Sequence, residues 1–403
     1  MNDETTAVPT DAEARLLVHR AGRTPVYAYS RSALGDAVAR VRAASPRGAG
    51  LYYSLKANPY PGVVNALAPL VDGFDVCSLA EMETALNAGT PPDRVLFTGP
   101  AKSRTEAAAA LAAGVAVTVE SPRQADLFAE TARELGVAGH GVIRLNVPYP
   151  GRTPDADPSP NQFGVAEEDL AEVVGTLRAS PVTIRGLQLF WGSQYSDPEV
   201  VLAARKAVTE RARAVVERFG LTLDLVSIGG GIAMRWRDRD PAVDWSRLSE
   251  TEDAHRTPET EDAHRAPEAD GGRLPLVCEY GRSLAGPAGS LLTTVLDTKT
   301  IGDRRYVLVD AGMNDLLLAS RLLSGGDRGE LRVRVVGGEG RPTVRHVHVT
   351  GPLCSQLDVL AEDIELPEVE PGDLLLFPGV GAYGPSFSPG GFLSRDKVRE
   401  IVF

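Results

Sequence analysis

The stretch LYYSLKAN at residues 51–58 is a short apolar run that ends close to a lysine, and seven comparable runs follow it before residue 283. Alanine-rich segments with apolar residues at helical spacing lie between the runs. Such alternation is typical of βα units. The runs are LYYSLKAN (51–58), GFDVCS (73–78), RVLFTGP (94–100), VAVTVES (115–121), GVIRLNV (141–147), IRGLQLFWGSQ (184–194), LDLVSIGGG (223–231) and LPLVCEYGR (274–282). Eight runs predict an α/β fold with a closed, TIM-like (β/α)8 barrel.

The pattern of apolar and polar residues changes after residue 285. Runs such as RRYVLVD, VRHVHVTG and DLLLFPGVGAY alternate like strands, with glycine-rich turns instead of helices between them. Near the N-terminus, one short helical stretch precedes the strand-like VYAYS. We therefore predict a barrel over residues 30–283 and a β-rich domain over residues 284–403, which residues 1–29 complete with the N-terminal strand.

The segment TEDAHRTPETEDAHRAPEAD (251–270) contains TEDAHR twice and is nearly devoid of apolar residues. Such a composition cannot form a packed core, so we predict a flexible insertion over about 238–272. Metal binding by His255 and His264 is the alternative that the repeat leaves open, but the composition favours a solvated segment.

The composition excludes several classes of protein. The 403 residues carry a formal net charge of −12, without the basic stripe that nucleic-acid binding requires. The first thirty residues begin acidic and contain no long apolar run, which predicts a cytoplasmic protein without signal peptide or membrane span. The widely spaced cysteines Cys77, Cys278 and Cys354 argue against a disulfide framework and against a zinc site.

Unusual polar residues cluster at the predicted strand ends, where barrels of this kind carry out their chemistry. Lys56 alone is best explained as a lysine whose head reaches solvent. The glycines at 229–231, the Ser193 hydroxyl, Gly281 and Arg282 add a candidate phosphate site beside it. An amine next to a phosphate site would suit pyridoxal 5′-phosphate (PLP), among other phosphate ligands, and Glu279 could pair with the pyridine nitrogen of that cofactor.

The motifs YSLKAN, GFDVCSLAEME, RLNVP with NQFG, LFWGSQ, SIGGG, EYGR, DAGMNDL, GPLCSQLD and GAYG occur in this order. Through them, residues 25 to 403 resemble the fold-type III (group 2) PLP-dependent decarboxylases of ornithine, diaminopimelate and arginine, whose barrel is like that of alanine racemase. The resemblance implies a homodimer with shared active sites, acting on a small-molecule or carrier-tethered amino acid.

The same resemblance implies roles for single residues. Lys56 would form the internal aldimine, and carbon dioxide would leave to give a quinonoid that Glu279 stabilises. Cys354, supplied across the dimer interface, would protonate the carbanion; a buried, inert thiol is the alternative. The implied cofactor-binding residues are Lys56, Asp75, Arg144, Phe190, Ser193, Gly230, Gly231, Glu279, Gly281, Arg282 and Tyr383.

Departures from the family concern the substrate. Phe190 stands where the family has a histidine stacked on the cofactor, and Leu318 replaces an arginine that binds a distal carboxylate. Ser355 replaces the acid that receives a distal amine. Arg321, Ser355 and Asp358 are therefore the candidate substrate-binding residues.

The segments GPLCSQLDVL and FLSRDKVREIVF resemble a subgroup from natural-product and siderophore biosynthesis. That resemblance predicts decarboxylation of an amino acid or a conjugated amino-acid intermediate. The alternatives are a PLP-dependent racemase or epimerase, a non-catalytic PLP-binding protein, and a phosphate-binding barrel without PLP.

Overall fold

The computed structural model describes residues 8–148, 161–236, 240–254, 274–319 and 331–403. The strands are β1 Val26–Tyr29, β2 Gly50–Ser54, β3 Gly73–Val76, β4 Val95–Phe97, β5 Ala116–Val119, β6 Gly139–Leu145, β7 Val182–Leu189, β8 Leu225–Ser227, β9 Leu276–Tyr280, β10 Gly289–Ile301, β11 Arg304–Val309, β12 Arg334–Val335, β13 Thr343–Thr350, β14 Val359–Pro367, β15 Leu374–Pro378 and β16 Arg399–Val402. The helices are α1 Asp11–Ala21, α2 Arg31–Ala43, α3 Pro61–Leu67, α4 Leu79–Asn87, α5 Arg104–Ala113, α6 Pro122–Leu135, α7 Leu170–Arg178, α8 Pro198–Phe219, α9 Trp245–Ala254 and α10 Arg282–Ala285.

Strands β2 to β9 form a closed parallel barrel, which confirms the predicted fold class. Each strand pairs with the next, and β9 pairs with β2 to close the circle. The helices after β3, β4 and β5 begin at serine caps, Ser78, Ser103 and Ser121, whose hydroxyls accept a hydrogen bond from the first helical turn. These caps fix the loops at the C-terminal mouth of the barrel.

The barrel interior is layered. One layer is apolar and consists of Tyr52, Leu96, Ala116, Val142, Leu225 and Val277. Because strand side chains alternate, the residue two positions further along each strand faces the same interior, one step closer to the mouth. That second layer is polar and consists of Ser54, Thr98, Thr118, Arg144, Ser227 and Glu279.

The remaining strands form an eight-stranded sheet that the two ends of the chain complete. Strand β1 runs antiparallel to β10 and parallel to the C-terminal β16. The N-terminal strand therefore completes the β domain, as predicted. Helix α1 packs beside it through Ala14 and Leu17, both buried.

The predicted insertion at about 238–272 contains one helix in its first part. Residues 245–254 form α9; Leu248 is fully buried, and the Arg40 guanidinium lies 5.3 Å from the centre of the Trp245 ring. Val243, Trp245 and Leu248 supply enough apolar surface to anchor this helix on the barrel. His255, His264 and most of the repeat lie outside the described residues.

None of the helices in the described ranges is long and apolar enough to cross a membrane. Within the same ranges, no group of three or more histidine, cysteine, aspartate or glutamate residues could hold a metal ion. All three cysteines are free, and only Cys354 is exposed.

Candidate active site

The barrel mouth brings together four charged side chains from four different strand ends. Lys56 lies in a short 3₁₀ helix, Leu55–Ala57, directly after β2. Asp75, Arg144 and Glu279 lie near the ends of β3, β6 and β9. The parallel barrel places these distant positions at one face, as the sequence predicted.

Lys56 is held as an ammonium by its neighbours. Loss of solvation acts to lower the pKa of the amine, but the charges of Asp75, Cys77, Tyr383 and Glu279 outweigh it and raise the pKa above its usual value. The side chain stays accessible through the mouth. Its Nζ lies 5.8 Å from the centre of the Phe190 ring.

Asp75 is a buried carboxylate with unused bonding capacity. Only 1% of the residue is exposed, and neither carboxylate oxygen has a hydrogen-bond partner among the described residues. A buried polar group without a partner costs about 1–3 kcal/mol. Such an acceptor indicates a site that a bound group completes.

Arg144 is similarly incomplete. It is 6% exposed, its Nη1 lies 3.5 Å from Glu120 Oε1, and its Nε has no hydrogen-bond partner in the described part of the chain. The guanidinium lies 4.5 Å from the Phe163 ring centre and 5.9 Å from that of Phe190. Aromatic rings therefore flank the cation at the edge of the mouth.

Glu279 is a partly buried acid that two neutral donors orient. Gln188 Nε2 and Ser227 Oγ each donate to its Oε1 at 2.7 Å, so Oε2 is the oxygen available to a bound group. Burial, followed by the charge of Asp75, raises the pKa of Glu279 to about 7. Near neutral pH this carboxyl therefore exists in both protonation states.

This pKa makes the stability of the cofactor-free protein depend on pH. Between 4.5 and about 7 the folded chain binds more protons at Glu279 than the unfolded chain does, so the free energy of unfolding falls as pH rises. The full contribution is about 3 kcal/mol, at about 1.4 kcal/mol per pKa unit. We expect Glu279→Gln to remove this part of the change in urea stability between about pH 5 and about pH 8.

Glu13→Gln is the matched control, since Glu13 is an exposed acid whose pKa is lowered by bonds from Thr10. In Glu13→Gln, the free energy of unfolding should fall between the two pH values by as much as in the wild type. If it falls equally in the wild type and in Glu279→Gln, Glu279 is not the group whose titration causes the fall.

The candidate phosphate loop depends on glycines that no other residue can replace. Gly229 and Gly231 have φ of 68° and 74°, which L-residues rarely adopt. A Cβ at Gly230 would lie 2.1 Å from the Glu279 carbonyl oxygen, and a Cβ at Gly281 would lie 2.8 Å from Ala57 Cβ. These close approaches bring the glycine turn, Gly281 and the Lys56 segment together. Ser193 is exposed at the same mouth.

Tyr383 reaches the site of its own chain from the β domain. Its N–H donates to the Ala57 carbonyl at 2.7 Å, and its backbone has a positive φ of 54°. The Arg282 guanidinium lies 4.8 Å from the Tyr383 ring centre and 5.8 Å from that of Trp236. Tyr383 therefore lies beside the Lys56 segment of the same chain.

The structure does not bring Cys354 into this group. The exposed thiol lies in the loop between β13 and β14, and none of the hydrogen bonds among the described residues joins Cys354 to Lys56 or Glu279. Ser355 lies in the same loop. Leu318 is half-buried, whereas Arg321 lies outside the described residues.

Asp358, expected to bind substrate, instead has a structural position. It is 2% exposed, and its two carboxylate oxygens accept hydrogen bonds at 2.7 Å from the backbone N–H groups of Met313 and Leu353. A Cβ at Gly351 would lie 2.3 Å from the same carboxylate. Both carboxylate oxygens are engaged by the backbone and fix the loop that carries Cys354. This corrects the expectation that Asp358 contacts the substrate.

Sequence reasoning missed the residues that orient the charged groups. Gln188 and Ser227 hold Glu279, Glu120 approaches Arg144, and Lys102 donates to the Thr118 carbonyl at 2.7 Å and to the Thr118 hydroxyl at 2.9 Å. Burial lowers the pKa of Lys102 to about 8. Side chains two residues apart on a strand face the same side of it. Ser227 and Thr118 lie two residues after the apolar interior positions Leu225 and Ala116, and this spacing could have identified them.

The mouth fits PLP. Asp75 and Arg144 offer buried groups without full partners, Glu279 offers a free oxygen, and the glycine turn leaves no space for side chains. Lys56 would supply the amine that an aldehyde cofactor needs. The fold and the site thus define a barrel enzyme of the PLP-binding class.

Residues 33–286 match the family model described as pyridoxal-dependent decarboxylase, pyridoxal binding domain. The chain belongs to this family and is a PLP-dependent carboxy-lyase that acts on an amino acid. It is 30% identical to diaminopimelate decarboxylase of Helicobacter pylori, over 94% of this chain and 90% of that protein. It is 27% identical to L-glutamyl-[BtrI acyl-carrier protein] decarboxylase of Niallia circulans, over 94% and 88%.

Solved structures agree with the fold. The Helicobacter pylori diaminopimelate decarboxylase complexed with L-lysine has a TM-score of 0.80 and 28% identity, covering 96% of this chain and 94% of that one. A lysine decarboxylase from Selenomonas ruminantium has a TM-score of 0.77 at 23% identity, covering 99% and 97%, which supports the fold alone.

Proposed function

We propose that the enzyme decarboxylates a conjugated amino-acid intermediate of natural-product or siderophore biosynthesis, with Lys56 holding PLP and Cys354 of the partner subunit donating the proton. The substrate proposal depends on one observation, that the loop beside Cys354 has no available carboxylate. Ser355 and Gln356 follow the thiol, and Asp358, the only acid of residues 351–358, is sequestered by backbone amides. A distal ammonium would find no carboxylate in this loop.

PLP, when bound, supplies an electron sink for the pair left on the α-carbon by departing carbon dioxide. Glu279 would pair with the pyridine nitrogen through Oε2 and, as the carboxylate, would keep that nitrogen protonated. Gly230, Gly231, Gly281, Ser193, Arg282 and Tyr383 would hold the phosphate. Asp75 and Arg144 would contribute their unused bonding groups beside the cofactor.

Phe190 would cover one face of the bound cofactor. The ring lies near both Lys56 and Arg144, and a Cβ at Gly229 would lie 3.2 Å from its Cδ2. A phenyl ring excludes water and has no proton to donate. In this proposal the proton arrives from the other face, and Cys354 supplies it.

The homodimer proposal depends on the position of Cys354. Asp358 holds the loop in place, and Arg395 Nη2 donates to the Pro352 carbonyl at 3.0 Å. A rigidly held thiol that faces outward suits delivery to a neighbouring subunit. A symmetric dimer would complete both sites in the same way.

Carbon dioxide release from a matched panel tests the substrate proposal. The panel contains free diaminopimelate, ornithine, lysine, arginine and glutamate, together with glutamate conjugated through an amide or a carrier thioester. We expect kcat/KM for a conjugate to exceed that for every free dibasic amino acid by at least about a hundredfold, because an unpaired ammonium in a closed site is costly. Equal activity on free diaminopimelate would contradict the proposal, and products that retain their carboxylate would indicate a racemase.

The variant Ser355→Asp adds the acid that the loop lacks. We expect it to raise activity on free dibasic amino acids about tenfold, since a charged hydrogen bond contributes about 1.5–3 kcal/mol. Ser355→Asn is the matched control without charge and should leave that activity unchanged. A gain in both variants would show that size, not charge, limits these substrates.

A further inference from the structure

Tyr280 occupies the centre of the segment that carries three cofactor-facing residues. Glu279 precedes it, and Gly281 and Arg282 follow it. Because side chains alternate along β9, Glu279 faces the barrel interior while Tyr280 faces the outer layer, where it is 2% exposed. Neither the cofactor nor the substrate would touch the Tyr280 ring.

The Tyr280 hydroxyl is tied to two outer helices. Arg205 Nη2, from α8, donates to it at 2.8 Å, and Arg205 Nη1 donates to the carbonyl of Ala44 at the end of α2, also at 2.8 Å. The Ser45 hydroxyl lies 3.3 Å from the same phenol oxygen. Arg205 is 5% exposed, so these bonds are shielded from solvent.

The ring of Tyr280 also supports the phosphate loop. A Cβ at Gly230 would lie 2.8 Å from Tyr280 Cδ1 and 2.1 Å from the carbonyl oxygen of Glu279. The glycine turn therefore packs against the backbone of Glu279 and the ring of Tyr280 at once. Any shift of Tyr280 would move Gly230, Glu279 and Arg282 together.

We propose that Tyr280 and Arg205 form a positioning pair, which fixes Glu279, Gly230 and Arg282 in the geometry for PLP by anchoring the end of β9 to α8 and α2. The pair acts through these three residues and not by contact with PLP. It is independent of the substrate proposal, because its effects appear in the cofactor alone.

The test uses the PLP-loaded enzyme without substrate. Tyr280→Phe removes only the hydroxyl, and Arg205→Met keeps the apolar stem. We expect each variant to release PLP about tenfold faster, as for one buried hydrogen bond lost. We also expect the midpoint of the pH titration of the visible band to shift, because Glu279 moves relative to the pyridine nitrogen. The double variant should release PLP no faster than the faster-releasing of the two single variants, since the two groups act as a unit.

Tyr27→Phe is the matched control. Tyr27 is a buried tyrosine of the β domain whose hydroxyl donates to the Asp315 carbonyl at 2.9 Å. It should lower the melting temperature without changing PLP release or the titration midpoint. If Tyr280→Phe and Arg205→Met likewise change only the melting temperature, the pair is merely structural and the proposal is overturned.

Should either variant fail to fold, Arg205→Lys gives the same decision, because it retains the charge but cannot bond Tyr280 and Ala44 together. Release of PLP and the titration midpoint should both change in Arg205→Lys. Wild-type values for both would overturn the proposal.

Discussion

Replacement of Lys56 by alanine is expected to abolish the visible absorption band of the PLP-loaded protein and to lower the rate of decarboxylation by at least about a thousandfold. The reason is that Lys56, whose amine lies in the charged mouth near Asp75 and Glu279, is the residue proposed to hold PLP. Absorbance spectra, followed by borohydride reduction and mass spectrometry of the modified peptide, provide the measurement.

Lys102 is the other lysine of the barrel that could hold PLP, so it provides the comparison for this test. Unlike Lys56, it is buried in the barrel, and burial lowers its pKa to about 8, so a larger fraction of Lys102 than of Lys56 is the neutral amine at the same pH. However, its Nζ already donates to the Gly99 carbonyl and to two oxygens of Thr118. We expect Lys102→Met to retain the visible band. A band that survives in Lys56→Ala and disappears in Lys102→Met would reverse the assignment.

Replacement of Cys354 by alanine is expected to slow product formation by about a hundredfold or more, the usual contribution of a positioned proton donor. PLP binding should remain intact, because the exposed thiol lies apart from the residues of the mouth. Protonation without the thiol should also lose its facial selectivity. Turnover in deuterium oxide, with NMR of the product, measures both effects. Wild-type turnover and product stereochemistry would contradict the role of Cys354.

Mixing two defective variants tests whether the site is shared. If Cys354 serves the partner subunit, a dimer of one Lys56→Ala chain and one Cys354→Ala chain contains one intact site. Random exchange of equal amounts should then restore about a quarter of wild-type activity. No restoration, with exchange verified by mass spectrometry, would place Cys354 at the site of its own chain. Cys278→Ala is the control for loss of a cysteine as such, since Cys278 is buried in the barrel wall. This variant alone should keep its activity.

The barrel could be predicted because its pattern is local and repeated. Each strand alternates with a helix. The strand ends carry charged residues that the packing of the barrel does not require, among them Lys56, Asp75 and Glu279. Closure of β9 on β2 follows from the number of strands. Helix α9 within the predicted insertion could not be read from composition, because composition averages over a segment, whereas a single apolar residue, Leu248, buries its whole side chain in this helix.

The sequence by itself determined the barrel, the completing N-terminal strand and the set of charged residues at the strand ends, because strand periodicity and motif order are properties of neighbouring residues. Only the tertiary structure decided what these residues contact. It directed the Asp358 carboxylate to backbone amides, brought Tyr383 to the Lys56 segment and joined Tyr280 to Arg205. Those pairs are separated by 45, 326 and 75 residues. Contacts over such distances depend on how whole elements pack, which no local pattern specifies.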